Sequence, residues 1–232
     1  MRITLKIVKM NMKKYFIFTI IMSISNTTYA ISNKRFELLS GVKKVKDKQT
    51  FWNKAYGKKK YIYGKAASNF LSQNFLYLPK GGTILDMGMG EGRNAVFLAQ
   101  NGFKVMGVDI SKIAVKKAQL LAREKKVQIK TITASLNKYD FKENSFDGII
   151  IFYYVDRSLI PKIYKWLKPG GILIYRGYTK RQRRVIGFEN EKKEYLLDEG
   201  ELLTLFPGMK VLKFEEPLHF KKYTSSAILL KK

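Results

Sequence analysis

The chain of 232 residues contains no cysteine. That excludes a disulfide framework, a thiolate metal site and a cysteine nucleophile, and it removes the usual clue to redox compartment. Histidine occurs once, as His219, so no metal site built from several histidines can form. Acidic residues are scarce, 18 Asp and Glu against 45 Lys and Arg, for a net charge of +27. Basic chains bind phosphate backbones by releasing counterions, but here the excess is mostly lysine spread along the whole chain, which equally suits a solvated surface. The densest run, Lys180-Arg181-Gln182-Arg183-Arg184, reads as a loop after a strand. It can draw in an anionic acceptor or RNA, or simply face water.

A long hydrophobic run is also missing. The apolar stretch from Tyr15 to Ile24 is short for a transmembrane helix. Lys9, Lys13 and Lys14 precede it and a polar segment ending Thr28-Tyr29-Ala30 follows, which is the layout of a secretory signal peptide; an uncleaved anchor helix is the alternative. Residues 1–30 are therefore expected to direct export to the periplasm or to tether the chain. They are its one expected link to a membrane, and the protein stays cytoplasmic if they are not used. Residues 31–49 are polar, lysine-rich and without a clear period, and read as a linker. Residues 50–232 then form one domain, for which a 46% hydrophobic composition supplies a sizeable core.

What the chain does have is a glycine turn, Asp86-Met87-Gly88-Met89-Gly90-Glu91-Gly92, between a strand signal (Thr83, Ile84, Leu85) and a helical pattern (Ala95, Leu98, Ala99). Alternate glycines let the backbone turn tightly and approach a ligand, and the following helix presents N–H groups to a carboxylate or phosphate. This is the strand-to-helix turn of a nucleoside-type cofactor site. A dinucleotide fingerprint would need G-x-G-x-x-G, but position 93 is Arg. From Thr83 onward strand-like runs alternate with helical stretches. Strands are expected near 83–87, 104–109, 129–133, 146–153, 171–177, 210–215 and 225–230, and helices near 93–101, 112–125, 158–167 and 198–206, with a further helix within 50–77. That alternation predicts an α/β, doubly wound, mostly parallel seven-stranded sheet. The last two strands lack a long helical crossover, so the final one is expected to be antiparallel.

The glycines at 88, 90 and 92, with an acid two residues before the first, resemble motif I of the class I S-adenosylmethionine-dependent methyltransferases. Gly90 to Ala99, Val105 to Val108, Asp109-Ile110-Ser111 and Ala114 look like the tellurite-resistance-type branch of that superfamily, as do Tyr61-Ile62-Tyr63-Gly64, Leu167-Lys168-Pro169-Gly170-Gly171 and Glu199-Gly200-Glu201-Leu202. The resemblance implies a Rossmann-like methyltransferase fold, S-adenosylmethionine as cofactor, and methyl transfer as the reaction. Gly88 and Gly90 would let the backbone pass the methionine moiety and ribose. Asp86 would lie near the cofactor ammonium or merely brace the turn, and Arg93 would pair with its carboxylate or pack over the sheet edge. Asp109 ends the second strand, where a carboxylate can accept the ribose hydroxyls, while Ser111 is placed to cap the next helix. Ile110 would lie against the adenine. Many relatives carry an aspartate after the third strand, but this chain has Ala134-Ser135-Leu136, leaving Ser135 and the Leu136 backbone to serve the ring.

For the acceptor, the resemblance points to the carboxyl ends of the strands. Phe152, Tyr153 and Tyr154 follow the fourth strand, Arg176 and Tyr178 end the fifth, and Tyr61 and Tyr63 come from a covering segment. His219 matches a tail histidine of the branch, although Phe220 replaces the basic residue expected beside it. His219, Tyr154 and Arg176 are the candidates for catalysis, with Phe152 and Tyr63 at the cofactor. Asp147 and Lys168-Pro169-Gly170-Gly171 are expected to serve the fold. A soft anionic acceptor needs no proton removed, whereas a nitrogen or oxygen acceptor wants a base. The Asn/Asp-Pro-Pro-Tyr tetrapeptide of amino-directed DNA methyltransferases is absent, which disfavours base-directed DNA methylation. A small-molecule acceptor is the favoured expectation, with an RNA or protein methyltransferase, or an inactive exported cofactor binder, as alternatives.

Overall fold

The computed structural model describes residues 48–185, 188, 189, 193–219 and 222–231. The signal-peptide expectation for residues 1–30, and all but the last two residues of the expected linker, lie outside them. Chain order begins with α1 (Lys48–Tyr56) and α2 (Asn69–Asn74), followed by β1 (Thr83–Met87), α3 (Arg93–Gln100), β2 (Lys104–Asp109), α4 (Lys112–Glu124) and β3 (Lys130–Thr133). Next come β4 (Phe146–Phe152), α5 (Ile160–Trp166), β5 (Leu167–Tyr178), α6 (Glu201–Thr204), β6 (Lys210–Glu215), β7 (Leu218–His219) and β8 (Lys222–Leu230). The sheet runs β3-β2-β1-β4-β5-β8-β6, with β7 pairing β8 off this path. The strands from β3 to β5 are parallel, and β8 is antiparallel to both of its neighbours.

Period-2 alternation of apolar residues lets both faces of the sheet be covered. Ile84, Ile150, Ile172, Ile174 and Ile228 face Phe70 and Leu71 of α2 and Ala95 and Leu98 of α3. Their strand neighbours Leu85, Ile149, Ile151, Leu173 and Leu229 face Ile163 and Trp166 of α5 and Leu202 of α6. Trp166, fully buried on that side, donates its indole N–H to Asp140. Parallel pairing carries β1 into register with both β2 and β4, so Asp86 stands beside Gly107 and Ile150. The carboxyl ends of β1, β2 and β4 thus open together at one edge, where the strand order reverses on either side of β1. That is where open α/β sheets hold ligands.

The helix expected within 50–77 is α2, and α1 precedes it; irregular chain separates the two because Gly57 and the lysine run 58–60 end α1 and Gly64 takes a left-handed φ of +72°. The helix expected at 198–206 shrinks to the four residues of α6, preceded by left-handed Gly200. Asp147 holds the fold as expected: it accepts from the Thr83 backbone N–H at 2.8 Å and from Lys168 Nζ at 2.7 Å.

Candidate functional site

The glycine turn forms because β1 ends in Met87 and the chain must reverse within five residues to start α3. Gly88 and Met89 both donate their N–H to the Val108 carbonyl, at 2.9 and 3.1 Å, which pins the turn to the end of β2. Gly90, at φ +56°, donates to Asp109 Oδ2 at 2.9 Å. Gly92, at φ +82°, lies so close to α4 that a Cβ there would come within 2.5 Å of the Ala118 Cβ. Both positions need glycine, for conformation and for the close approach.

Beside this turn is a cleft of about 730 Å³. Asp86, Gly88, Gly90, Arg93, Asp109, Ile110, Ser135, Leu136, Phe152 and Tyr63, the residues expected at the cofactor, all line it, as does Tyr154. Asp86 is 2% exposed. The Ala95 backbone N–H donates to it, yet its Oδ2 is buried without a partner. Burial, reinforced by the charge of Asp109, pushes the Asp86 carboxyl up to about 7 despite the opposing pull of Arg93. Asp109 is raised by burial to about 6, restrained by hydrogen bonds from the Ser111 and Gly90 backbone. Asp109 Oδ2 accepts the Gly90 N–H and Oδ1 the Ser111 N–H. Ser111 Oγ accepts from Ala114 N–H and caps α4, which leaves the Asp109 side chain to the cleft.

These features fit S-adenosylmethionine. An unpartnered buried carboxylate oxygen would suit its ammonium, the glycine turn would leave room for its methionine and ribose, and the Asp109 carboxylate would accept hydroxyl hydrogen bonds. The Arg93 guanidinium lies 5.9 Å from the Tyr63 ring centroid and donates to the Tyr63 carbonyl at 3.4 Å, so Arg93 sits in the cleft wall rather than over the sheet edge.

At the end of β4, Tyr153 takes φ +59°, a left-handed conformation that is costly for a bulky side chain. Its N–H still donates to the Arg176 carbonyl at 2.7 Å, and its ring tilts onto Tyr178 with centroids 4.8 Å apart. The irregular residue breaks strand alternation, so Phe152, Tyr153 and Tyr154 all reach the cleft instead of every second one. The Tyr154 ring rests on Gly88, close to where a Cβ would project. Burial, with Asp156 and Asp109 nearby, pushes the Tyr154 phenol well above the usual tyrosine range, and it is hydrogen-bonded to Asp156. Tyr154 is therefore a proton-bearing donor at neutral pH and not a base.

Arg176 is a correction. It stands opposite Phe152 in register but one strand farther from β1, and does not line the cleft. Its guanidinium lies 5.5 Å from the Phe70 ring centroid and donates to Thr224 Oγ1 at 3.0 Å, so it packs under α2. His219 falls in β7, and its side chain is outside the described structure. In the basic run, Lys180 pairs with Asp198, Arg181 with Glu199, and Arg183 donates to the Glu189 carbonyl, so much of that charge is engaged locally.

Three groups of residues escaped the sequence reading. Asp156 and Glu194 bring carboxylates to the cleft. Trp52 and Tyr56 bring stacked rings from α1, which is tied down by the Ser111 hydroxyl donating to Asn53 Oδ1 at 2.9 Å and by Gln49 Nε2 donating to the Ile110 carbonyl. Glu91, inside the glycine turn, fastens the covering segment: it accepts from Ile62 N–H at 2.7 Å and from Lys117 Nζ at 2.6 Å. Lys117 also donates to the carbonyls of Lys58 and Lys60. Only Asp156 had a local signal, as the one carboxylate just after the fourth strand.

Residues 84–171 match a family model described as a methyltransferase domain. Among curated proteins, 113 residues are 31% identical to phosphoethanolamine N-methyltransferase 3 of Arabidopsis thaliana, covering 46% of this chain and 23% of that protein. Another 33% identity extends over 136 residues of the tRNA (uracil(54)-C(5))-methyltransferase of Pyrococcus horikoshii, or 56% of this chain and 31% of that one. The chain thus spans about a quarter to a third of these relatives. Among solved structures, TehB from Haemophilus influenzae superposes with a TM-score of 0.60 at 17% identity, over 80% of this chain and 68% of that chain, a likeness of fold.

Proposed function

We propose, from the premise that this chain is a class I S-adenosylmethionine-dependent methyltransferase, that it methylates a small-molecule acceptor bound in the cleft between the glycine turn and the end of β4. The observation that carries this reading is the buried, unpartnered Asp86 Oδ2 in a cleft that Asp109, at the end of the adjacent strand, also lines. A cleft of about 730 Å³ is the size of a small-molecule site. When bound, S-adenosylmethionine supplies an electrophilic methyl group: the acceptor's lone pair forms the new bond to carbon and the electrons of the carbon–sulfur bond stay on sulfur.

The chain's own residues bind, align and shield. Asp86 and Arg93 hold the charged methionine end and Asp109 the ribose. Tyr154 lies across Gly88 and is hydrogen-bonded to Asp156, and Trp52 and Tyr56 line the cleft from α1. Holding the partners in line and excluding water accounts for most of the rate such a site can give. The motif series supports the tellurite-resistance-type branch, and the fold shared with TehB agrees with it. An RNA or protein acceptor would draw on the basic run, but the pairing of Lys180 and Arg181 with carboxylates favours a small molecule.

Thermal unfolding with ligand tests the cofactor half. A ligand at about 100 times its Kd stabilises by roughly 2.7 kcal/mol, a shift of about 5 to 10 °C for a domain of this size. S-adenosylmethionine or S-adenosylhomocysteine should give that shift and NAD none. Methyl transfer from labelled cofactor into a panel of small acceptors tests the rest, and the reading fails if well-folded protein binds neither cofactor form.

A further inference from the structure

The acceptor end of the cleft carries carboxylates and aromatic rings in a protein that is otherwise strongly basic. Asp156 and Glu194 line it together with the rings of Tyr153, Tyr154 and Tyr195. The Asp156 carboxylate is held in place by Ser158, whose hydroxyl donates to Oδ1 at 2.6 Å and whose N–H donates at 3.2 Å, and by the Tyr154 phenol. The cations nearby are engaged or peripheral. Arg157 is committed to Glu201, at 2.5 Å from Nε and 2.7 Å from Nη2, and donates to the carbonyls of Glu194 and Leu196. Lys48 sits on the exposed first turn of α1. Arg176 is turned away beneath α2.

From this lining we propose that the acceptor is an amine that enters as its ammonium cation, not an anion. The inference rests on the methyltransferase reading above and names the acceptor class for the same site. Carboxylates attract and orient the N–H groups, and ring faces stabilise a cation within about 6 Å of their centroids. The strained Tyr153 serves this arrangement, since without its left-handed turn two successive tyrosines could not flank one pocket. Before its lone pair can form the new nitrogen–carbon bond, the ammonium gives up one proton. Tyr154 cannot take it, being held protonated, so it passes to water at the mouth, where Glu194 is exposed. The methylated product leaves as the corresponding ammonium ion. Methyl transfer should accordingly speed up as pH rises toward the amine's own pKa.

Calorimetric titration of the protein saturated with S-adenosylhomocysteine tests this with three probes: tetramethylammonium chloride as cation, tert-butanol as its neutral counterpart and sodium selenite as anion. Tetramethylammonium should bind at least tenfold more tightly than either of the others. Asp156→Asn should weaken it about tenfold, and Glu194→Gln, a substitution at an exposed position that spares the fold, should weaken it severalfold, both leaving S-adenosylhomocysteine affinity within twofold of the parent. Tighter binding of selenite, or tetramethylammonium binding that is unchanged in both variants, overturns the proposal while the cofactor reading stands. If S-adenosylhomocysteine itself does not bind, the underlying reading fails and this one with it.

Discussion

Cofactor affinity should depend on pH through Asp86, and the sign follows from its surroundings. Its carboxyl is pushed up to about 7 because burial penalises the charged form and Asp109 repels it. In the unfolded chain the same group titrates near 3.8. Between those values the folded protein holds the proton that the unfolded chain has lost, so the stability of the free protein falls as pH rises from about 4 to about 7, then levels off. Asp109, raised to about 6, adds to the same fall. A ligand ammonium beside Asp86 Oδ2 favours the carboxylate, so binding releases a proton and tightens as pH rises.

The size can be worked out from the same values. A carboxyl titrating at about 7 is ionised in roughly one molecule in eleven at pH 6 and about three in four at pH 7.5. The Kd of S-adenosylhomocysteine should therefore improve about eightfold over that interval, and up to about sixteenfold if Asp109 must ionise as well. Calorimetry in buffers of different ionisation enthalpy would read both the affinity and the proton released. Asp86→Asn keeps the shape, removes the charge, and should flatten most of the dependence. Wild-type affinity that stays level from pH 6 to 7.5, or an Asp86→Asn protein that retains the full slope, would refute the placement of the ammonium against Asp86.

Other perturbations test the frame around the site. Gly92→Ala drives a Cβ into Ala118 from a left-handed backbone and should destabilise by about 3 kcal/mol in denaturant titration; a loss under 1 kcal/mol would mean that the turn and α4 are not packed as described. Lys117→Met leaves Glu91, whose side chain is 3% exposed, without its cation, and should cost about 3 kcal/mol, much of it recovered when Glu91→Gln is added. Arg176→Met should lower stability while S-adenosylhomocysteine affinity and acceptor KM stay within twofold; a large rise in KM would return Arg176 to the acceptor site. If residues 1–30 act as a cleaved signal, protein from its own host begins near Ile31, whereas intact chain starting at Met1 or Met12 in the cytoplasm excludes cleavage.

The strands flanking the glycine turn, and the acidic residues at their carboxyl ends, were legible because their signals are local. Ile84, Leu85, Ile149 to Ile151 and Ile172 to Ile174 are apolar runs bounded by turn residues, and Asp86 and Asp109 sit at strand ends where chain connectivity alone brings them together. The acceptor half was less legible because its parts meet only across the fold. Arg176 was placed correctly at the end of a strand, but which neighbours receive it is decided by α2, some hundred residues earlier in the chain. Glu194 and Tyr195 arrive from the segment between β5 and α6, and Trp52 from α1, with nothing in their own sequence to say so.

Tyr153 shows why the remainder could not be read. Its sequence, Phe-Tyr-Tyr after three isoleucines, has high strand propensity and predicts a strand running through 153, with alternate side chains on opposite faces. The structure ends β4 at Phe152 and places a tyrosine at φ +59°, a position for which local rules would ask for glycine or asparagine. Asp86 breaks a rule of the same kind by burying a carboxylate oxygen without a partner. Both departures carry a local cost in stability, and both line one cleft. Natural chains retain such conflicts where a ligand or a reaction resolves them. Tyr153→Gly should therefore relieve the strain and raise the unfolding midpoint, yet weaken tetramethylammonium binding, because the ring it removes is one wall of the acceptor pocket. A variant that is less stable and binds the probe as well as the parent would show that the left-handed tyrosine serves packing alone.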